Sequence, residues 1–209
     1  MITPYYDDGQ ITIYHGDCRE ILPLLDKVDL VLTDPPYGIK RDGKKLSTSR
    51  QSTGTKEYKS FGWDSERPSG GTFEKVLAAG HDCIIWGGQY FADLLPAEGG
   101  WLIWDKGQRL CQADAELAWT TRRAPVRIWL ANRGSLHLDG AVHPTQKPLS
   151  LTRWCLEFFP DAETIIDPFM GSGTTIRAAK DLGRRAIGIE QVEEYCEIAV
   201  KRLAQEVLF

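Results

Sequence analysis

Short apolar runs recur along the chain without the alternation of a half-exposed strand. Asp29-Leu30-Val31-Leu32 is the clearest. A run of this kind belongs to a strand covered on both faces, as in a parallel sheet. Strands are also expected at Ile11–Asp17, Asp82–Gly87, Trp101–Asp105, Thr164–Asp167 and Arg185–Ile189. Helical stretches fall between them: Glu20–Leu25, Phe73–Ala79, Gln89–Leu95, Leu149–Phe158, Ile176–Leu182 and Val192–Gln205. Gly183 supplies a helix stop, and Glu193 and Glu194 suit the positive end of the last helix dipole. Strands alternating with short helices are the signature of βαβ units. Glu116–Thr121 and Arg127–Ala131, separated by Arg122-Arg123-Ala124-Pro125, read as an antiparallel pair at the sheet's edge. Residues 38–70 show neither period and are rich in Gly, Ser, Thr and Lys. A loop this long in a compact domain is either a functional lid or a solvated insertion.

Length and composition narrow this picture little. The 209 residues suit one well-buried α/β domain spanning 1–209, and 42% hydrophobic with 26% charged residues argues against disorder. The five cysteines form no C-x-x-C pair and leave one over, so neither a disulfide framework nor a metal site is expected. The start MITPYYDDGQ lacks the features of a leader, and no apolar stretch reaches membrane-spanning length, so the expectation is a soluble cytoplasmic protein with no membrane partner. Charge changes the picture more. The net value is −4, yet residues 40–59 carry seven basic and two acidic side chains, and residues 122–133 carry four arginines and no acid. Two basic islands on an acidic body would draw a phosphate backbone, with Lys44, Lys45, Arg50, Arg122 and Arg123 as the candidate contacts.

The candidate chemistry starts at Asp34-Pro35-Pro36-Tyr37, directly after the apolar run. Neither proline can donate to a ladder, so the strand ends in a rigid extended corner. In open α/β sheets that carboxyl end is where ligands bind. The Asp34 carboxylate and the Pro35 carbonyl can accept both hydrogens of a planar –NH2 group while the Tyr37 ring stacks on the π-system that carries it. An Asp-Pro turn that merely ends a strand has the same letters. Residues 164–175 give a second corner: a strand, a Gly-rich turn (Gly171, Gly173) and a helix start. Glycines let such a turn bring its backbone against a ligand. No Gly-Lys-Ser/Thr follows, so it is not a phosphate-cradling P-loop, and Ile176 stands where a dinucleotide fingerprint calls for a third small residue. Glu190 lies 17 residues after Gly173, a spacing that suits hydrogen bonds to ribose hydroxyls. Asp17, after the first strand, reads equally as a helix N-cap and as a ligand contact.

Asp34-Pro35-Pro36-Tyr37, then His143-Pro144-Thr145-Gln146-Lys147-Pro148, then Asp167-Pro168-Phe169-Met170-Gly171-Ser172-Gly173-Thr174 with Gly188-Ile189-Glu190, resembles the permuted β group of the DNA amino-methyltransferases. The resemblance runs from Asp17 to Glu190. It implies a doubly wound, mostly parallel seven-stranded sheet of the Rossmann-like methyltransferase fold. S-adenosylmethionine is the implied cofactor, held by Asp17, Cys18, Thr145, Lys147, Asp167, Phe169, Gly171, Ser172, Gly173, Thr174 and Glu190, with Lys147 or the Thr145 backbone meeting its carboxylate. Double-stranded DNA is the implied partner and Asp34, Pro35, Pro36 and Tyr37 the catalytic set, acting on a flipped-out base. Asp rather than Ser at position 34 leans toward adenine N6. Cytosine N4, RNA or a protein amide remain alternatives, because any planar –NH2 group fits the same acceptors. Only 38–70 and 106–142 are left for recognition, which implies a short or relaxed target or recognition shared across a homodimer.

Overall fold

The computed structural model describes residues 2–39, 62, 64–97, 99–107, 113–131 and 147–205. Among them run nine strands: β1 (Tyr6–Asp7), β2 (Ile11–His15), β3 (Val28–Thr33), β4 (Gly80–Trp86), β5 (Gly100–Asp105), β6 (Ala115–Thr120), β7 (Arg127–Leu130), β8 (Thr164–Asp167) and β9 (Arg185–Glu190). The helices are α1 (Cys18–Ile21), α2 (Gly70–Ala78), α3 (Leu149–Glu157), α4 (Thr174–Asp181) and α5 (Glu193–Leu203). The strands form one sheet in the order β1-β2-β9-β8-β3-β4-β6-β5-β7. Only the pairings of β1 with β2 and of β6 with β4 and β5 are antiparallel.

The apolar runs lack alternation because helices cover both faces. Leu30 and Leu32 belong to the core shared with α3, α4 and α5 through Leu151, Leu156, Ile176 and Cys196. Val31, between them, belongs to the opposite core with Ile21, Phe73, Val76 and Phe91. The central seam joins β3 to β8 by only two register pairs, Leu30↔Ile165 and Val31↔Ile166. Side chains clasp it at both ends. Asp29 Oδ2 accepts from the Glu163 and Thr164 amides and the Thr164 hydroxyl at 2.7–3.0 Å. At the other end the Thr33 hydroxyl donates to Asp167 Oδ1 at 2.6 Å.

Three expectations need correction. The sheet has nine strands, not seven. Of the nine, β1, which folds back on β2 at one edge, is the strand that the apolar pattern does not announce. Nor do β6 and β7 form an antiparallel pair. Ala118, Trp119 and Thr120 are buried, so β6 runs inside the sheet between β4 and β5, and β7 pairs in parallel with β5 from the far side. Finally, Gln89–Leu95 is not a helix. Gly87 turns left-handed (φ +71°), a single 3-10 turn spans Gly88–Tyr90, and Phe91 is fully buried. The described cysteines, Cys18, Cys83, Cys155 and Cys196, are buried free thiols.

Candidate active site

Parallel order brings four carboxylates to one edge of the sheet. The strands β2, β9, β8 and β3 are consecutive neighbours, and Asp17, Glu190, Asp167 and Asp34 stand at or just beyond their carboxyl ends. The Thr33–Asp167 hydrogen bond sets the Asp34 corner directly beside the Gly-rich turn. Asp167 is 3% exposed. Burial pushes its carboxyl up to about 6 against the donors that favour its charge, Thr33, Thr175 and the Phe169 amide, and the nearby Asp34 pushes the same way as burial.

At the Asp34 corner Pro35 is buried, while Asp34, Pro36 and Tyr37 are half-buried. The Tyr37 hydroxyl donates to Asp34 Oδ1, and its ring stacks on Tyr90 with centroids 4.7 Å apart. Gly87 makes room for that ring, since a Cβ there would fall 2.1 Å from Tyr37 Cε1. Lys147 donates to Asp34 Oδ2 at 2.6 Å and lies 3.0 Å from Glu116 Oε2. The other oxygen of Glu116 meets Lys106 at 2.7 Å. Burial alone would lower the Lys147 ammonium, but Asp34, Glu116 and Tyr37 raise it well above the usual lysine range. Burial would raise Glu116, yet Lys147 and Lys106 hold it down to about 2. The result is a chain of alternating charges ending on Asp34.

The Gly-rich turn is braced from behind. Arg202 on α5 donates to the Ser172 carbonyl at 2.7 Å and lies 3.1 and 3.3 Å from the Ser172 and Thr174 hydroxyls. Those two side chains therefore face the scaffold. Glu190 accepts from the Gly171 amide and the Val192 amide, each at 2.8 Å, and burial together with Asp167 raises its carboxyl. Asp17 caps α1 by accepting from the Arg19 amide at 2.8 Å and also pairs with the Arg19 guanidinium, while Cys18 is buried behind it.

The remaining predicted residues scatter. Lys147 sits on Asp34, and Thr145, Lys44, Lys45 and Arg50 lie outside the described residues. Arg122 and Arg123 are at the wrong end of the sheet to join the site. Because β6 runs against β4, six residues carry the chain about 20 Å from Glu116 toward the opposite edge. There Arg122 donates to the Phe158 carbonyl and covers the Phe158 ring at 4.9 Å. Most of the 38–70 insertion lies outside the described residues; of those described, the buried Asp64 accepts from the Gly38 amide at 2.9 Å, and Arg67 donates to Asp93 and to the Tyr90 carbonyl. Sequence reasoning missed Glu116, Lys106 and Arg202. Glu116 sits on β6, whose pairing the local pattern does not reveal, Lys106 follows β5 with no motif around it, and Arg202 looks like an ordinary cation in the last turn of an amphipathic helix.

Comparison with known proteins agrees with this geometry. Residues 102–201 match the N6_N4_Mtase family model, described as DNA methylase. The chain is 26% identical to the type II methyltransferase M.HinfI of Haemophilus influenzae over 98% of its own length and 71% of that protein. Among solved structures it is similar to M1.HpyAVI in its complex with SAM, with a TM-score of 0.61, 25% identity, and coverage of 92% of this chain and 99% of that one. It shares its fold with the cytosine-N4-specific PvuII DNA methyltransferase, with a TM-score of 0.65 at 17% identity over 99% of this chain and 90% of that one.

Proposed function

We propose, from the premise that this chain belongs to the N6/N4 DNA methylase family, that it methylates the exocyclic amine of a flipped-out base in double-stranded DNA, and that the base is adenine. S-adenosylmethionine supplies an electrophilic methyl on a sulfonium centre. The described residues suit that group. Gly171 takes φ +53° with open space where a Cβ would stand, so the turn can approach a ligand by its backbone. Burial raises both carboxyls, helped by Asp34 at Asp167 and by Asp167 at Glu190. Hydroxyl donors and a positive charge at this edge would relieve both. Asp17, Cys18, Phe169 and the turn from Gly171 to Thr174 line the same edge.

At the neighbouring corner, Asp34 and the Pro35 carbonyl accept the two hydrogens of the target amine and turn its lone pair outward. Tyr37 stacks on the base in place of Tyr90, whose side chain is 39% exposed. Positioning supplies most of the rate. The observation that carries this reading is the 2.6 Å bond from Thr33 to Asp167, which holds the amine-accepting corner and the glycine turn side by side. The aspartate at position 34 favours adenine N6 over cytosine N4. Incubation with tritiated S-adenosylmethionine and duplex DNA, RNA or protein tests the substrate class, and digestion of labelled DNA to nucleosides identifies the base. Label in N6-methyladenine is expected; label confined to RNA or protein would overturn the proposal.

A further inference from the structure

Lys147 has three protons, and three acceptors surround it: Asp34 Oδ2 at 2.6 Å, Glu116 Oε2 at 3.0 Å and the Tyr37 hydroxyl at 3.4 Å. The Trp86 and Tyr37 rings stand 5.3 and 5.9 Å away, and the lysine side chain is 10% exposed. In this arrangement both oxygens of Asp34 are engaged, one by Tyr37 and one by Lys147. A target amine must therefore take a place that the lysine holds. A buried ammonium gives up one counter-ion readily only if another is already in reach. Glu116 is that other counter-ion. It sits on a different strand from Asp34, and Lys106 anchors its far oxygen.

We infer that Glu116 is a positioning residue for Asp34, acting through Lys147 as the acceptor that keeps the ammonium while the target amine occupies the Asp34 carboxylate. The inference rests on the amino-methyltransferase reading. In the transfer the amine nitrogen bonds to the methyl carbon as the carbon–sulfur bond breaks and sulfur keeps the electron pair. The surplus proton on nitrogen then passes to the Asp34 carboxylate and leaves to water with the product. While Asp34 is neutral, Glu116 is the carboxylate among the described residues that balances Lys147. Lys106 in turn keeps Glu116 ionised and fixed, so four side chains from separate segments act as one unit.

The test is single-turnover methyl transfer to DNA with Glu116→Gln and with the charge-balanced pair Lys106→Met/Glu116→Gln. The pair removes one cation and one anion together, which spares the fold an unpaired buried charge. Cofactor affinity by calorimetry and the melting temperature are read on the same samples. The expected result is a rate loss on the order of 10- to 100-fold. KM for DNA and cofactor affinity should stay unchanged, and Glu116→Asp should restore part of the rate. A folded paired variant transferring at the wild-type rate would overturn the inference. So would a rate loss accompanied by lost cofactor affinity, which would make Glu116 scaffold. A wild-type protein that transfers no methyl to DNA would sink the parent reading instead, and the two failures are told apart by that control.

Discussion

Asp167 sits where a carboxylate weakens the fold. It is 3% exposed, and its carboxyl is raised by burial from an ordinary 3.8 to about 6. The folded protein therefore holds a proton there that the unfolded chain has already released. Stability from the neutral form is full below about pH 4 and is lost as pH rises through about 6. The displacement corresponds to about 3 kcal/mol by neutral pH. Asp167→Asn keeps the shape and removes the titration. Its carbonyl can still accept from Thr33 and the Phe169 amide, the partners that Asp167 Oδ1 has at 2.6 and 3.1 Å.

Thermal unfolding of wild type and Asp167→Asn between pH 4 and pH 8 measures the effect. The variant should melt at nearly the wild-type temperature at pH 4 and above it at pH 8, by up to about 6–12 °C for a chain of this size. Under the proposed function it should also lose affinity for S-adenosylmethionine. A difference in melting temperature that stays constant across the pH range would refute the burial argument, and a variant less stable at pH 8 than at pH 4 relative to wild type would reverse its sign.

Asp34→Ala should abolish methyl incorporation while calorimetry still detects cofactor binding; retained turnover would remove Asp34 from the chemistry. Tyr37→Ala should slow transfer more than Tyr37→Phe, since only the first removes the ring, and equal losses in a rate assay would argue against stacking. Gly87→Ala combines a left-handed backbone with a Cβ driven into Tyr37. It should cost about 1–3 kcal/mol of stability and displace the tyrosine, as denaturant melts and the transfer rate would show. Arg122→Ala should leave DNA affinity and its salt slope unchanged in a filter-binding assay, because the guanidinium is committed to Phe158 at the edge away from Asp34.

What the sequence disclosed follows from how local each signal is. An apolar run ended by two prolines, a glycine turn after a strand, and an acid at a fixed distance are properties of contiguous residues. Asp34, Gly171, Gly173 and Glu190 could therefore be assigned to corners before any coordinates. That these corners share one edge also follows, because parallel strands send their carboxyl ends the same way. What stayed hidden depends on pairing. Residues 116–121 look like one half of a hairpin with 127–131, since both are short, apolar and separated by a proline turn. Burial decides otherwise: Ala118, Trp119 and Thr120 need cover on both faces and the exposed Ile128 and Leu130 do not, so the first enters the sheet and the second takes its rim.

That single insertion determines the electrostatics of the site. With β6 between β4 and β5 and running against both, its first residues arrive at the edge where β3 ends, and its last leave at the other. Glu116 is thereby delivered to Lys147, and Arg122 is carried away from the site. Had β6 paired with β7 at the rim, Lys147 would face Asp34 with no second anion, and the lysine would block the acceptor it now only guards. The reversed strand is thus the element that makes the Asp34 corner usable. Its effect is greatest at the residue whose sequence context, Ala115-Glu116-Leu117, carries no motif at all.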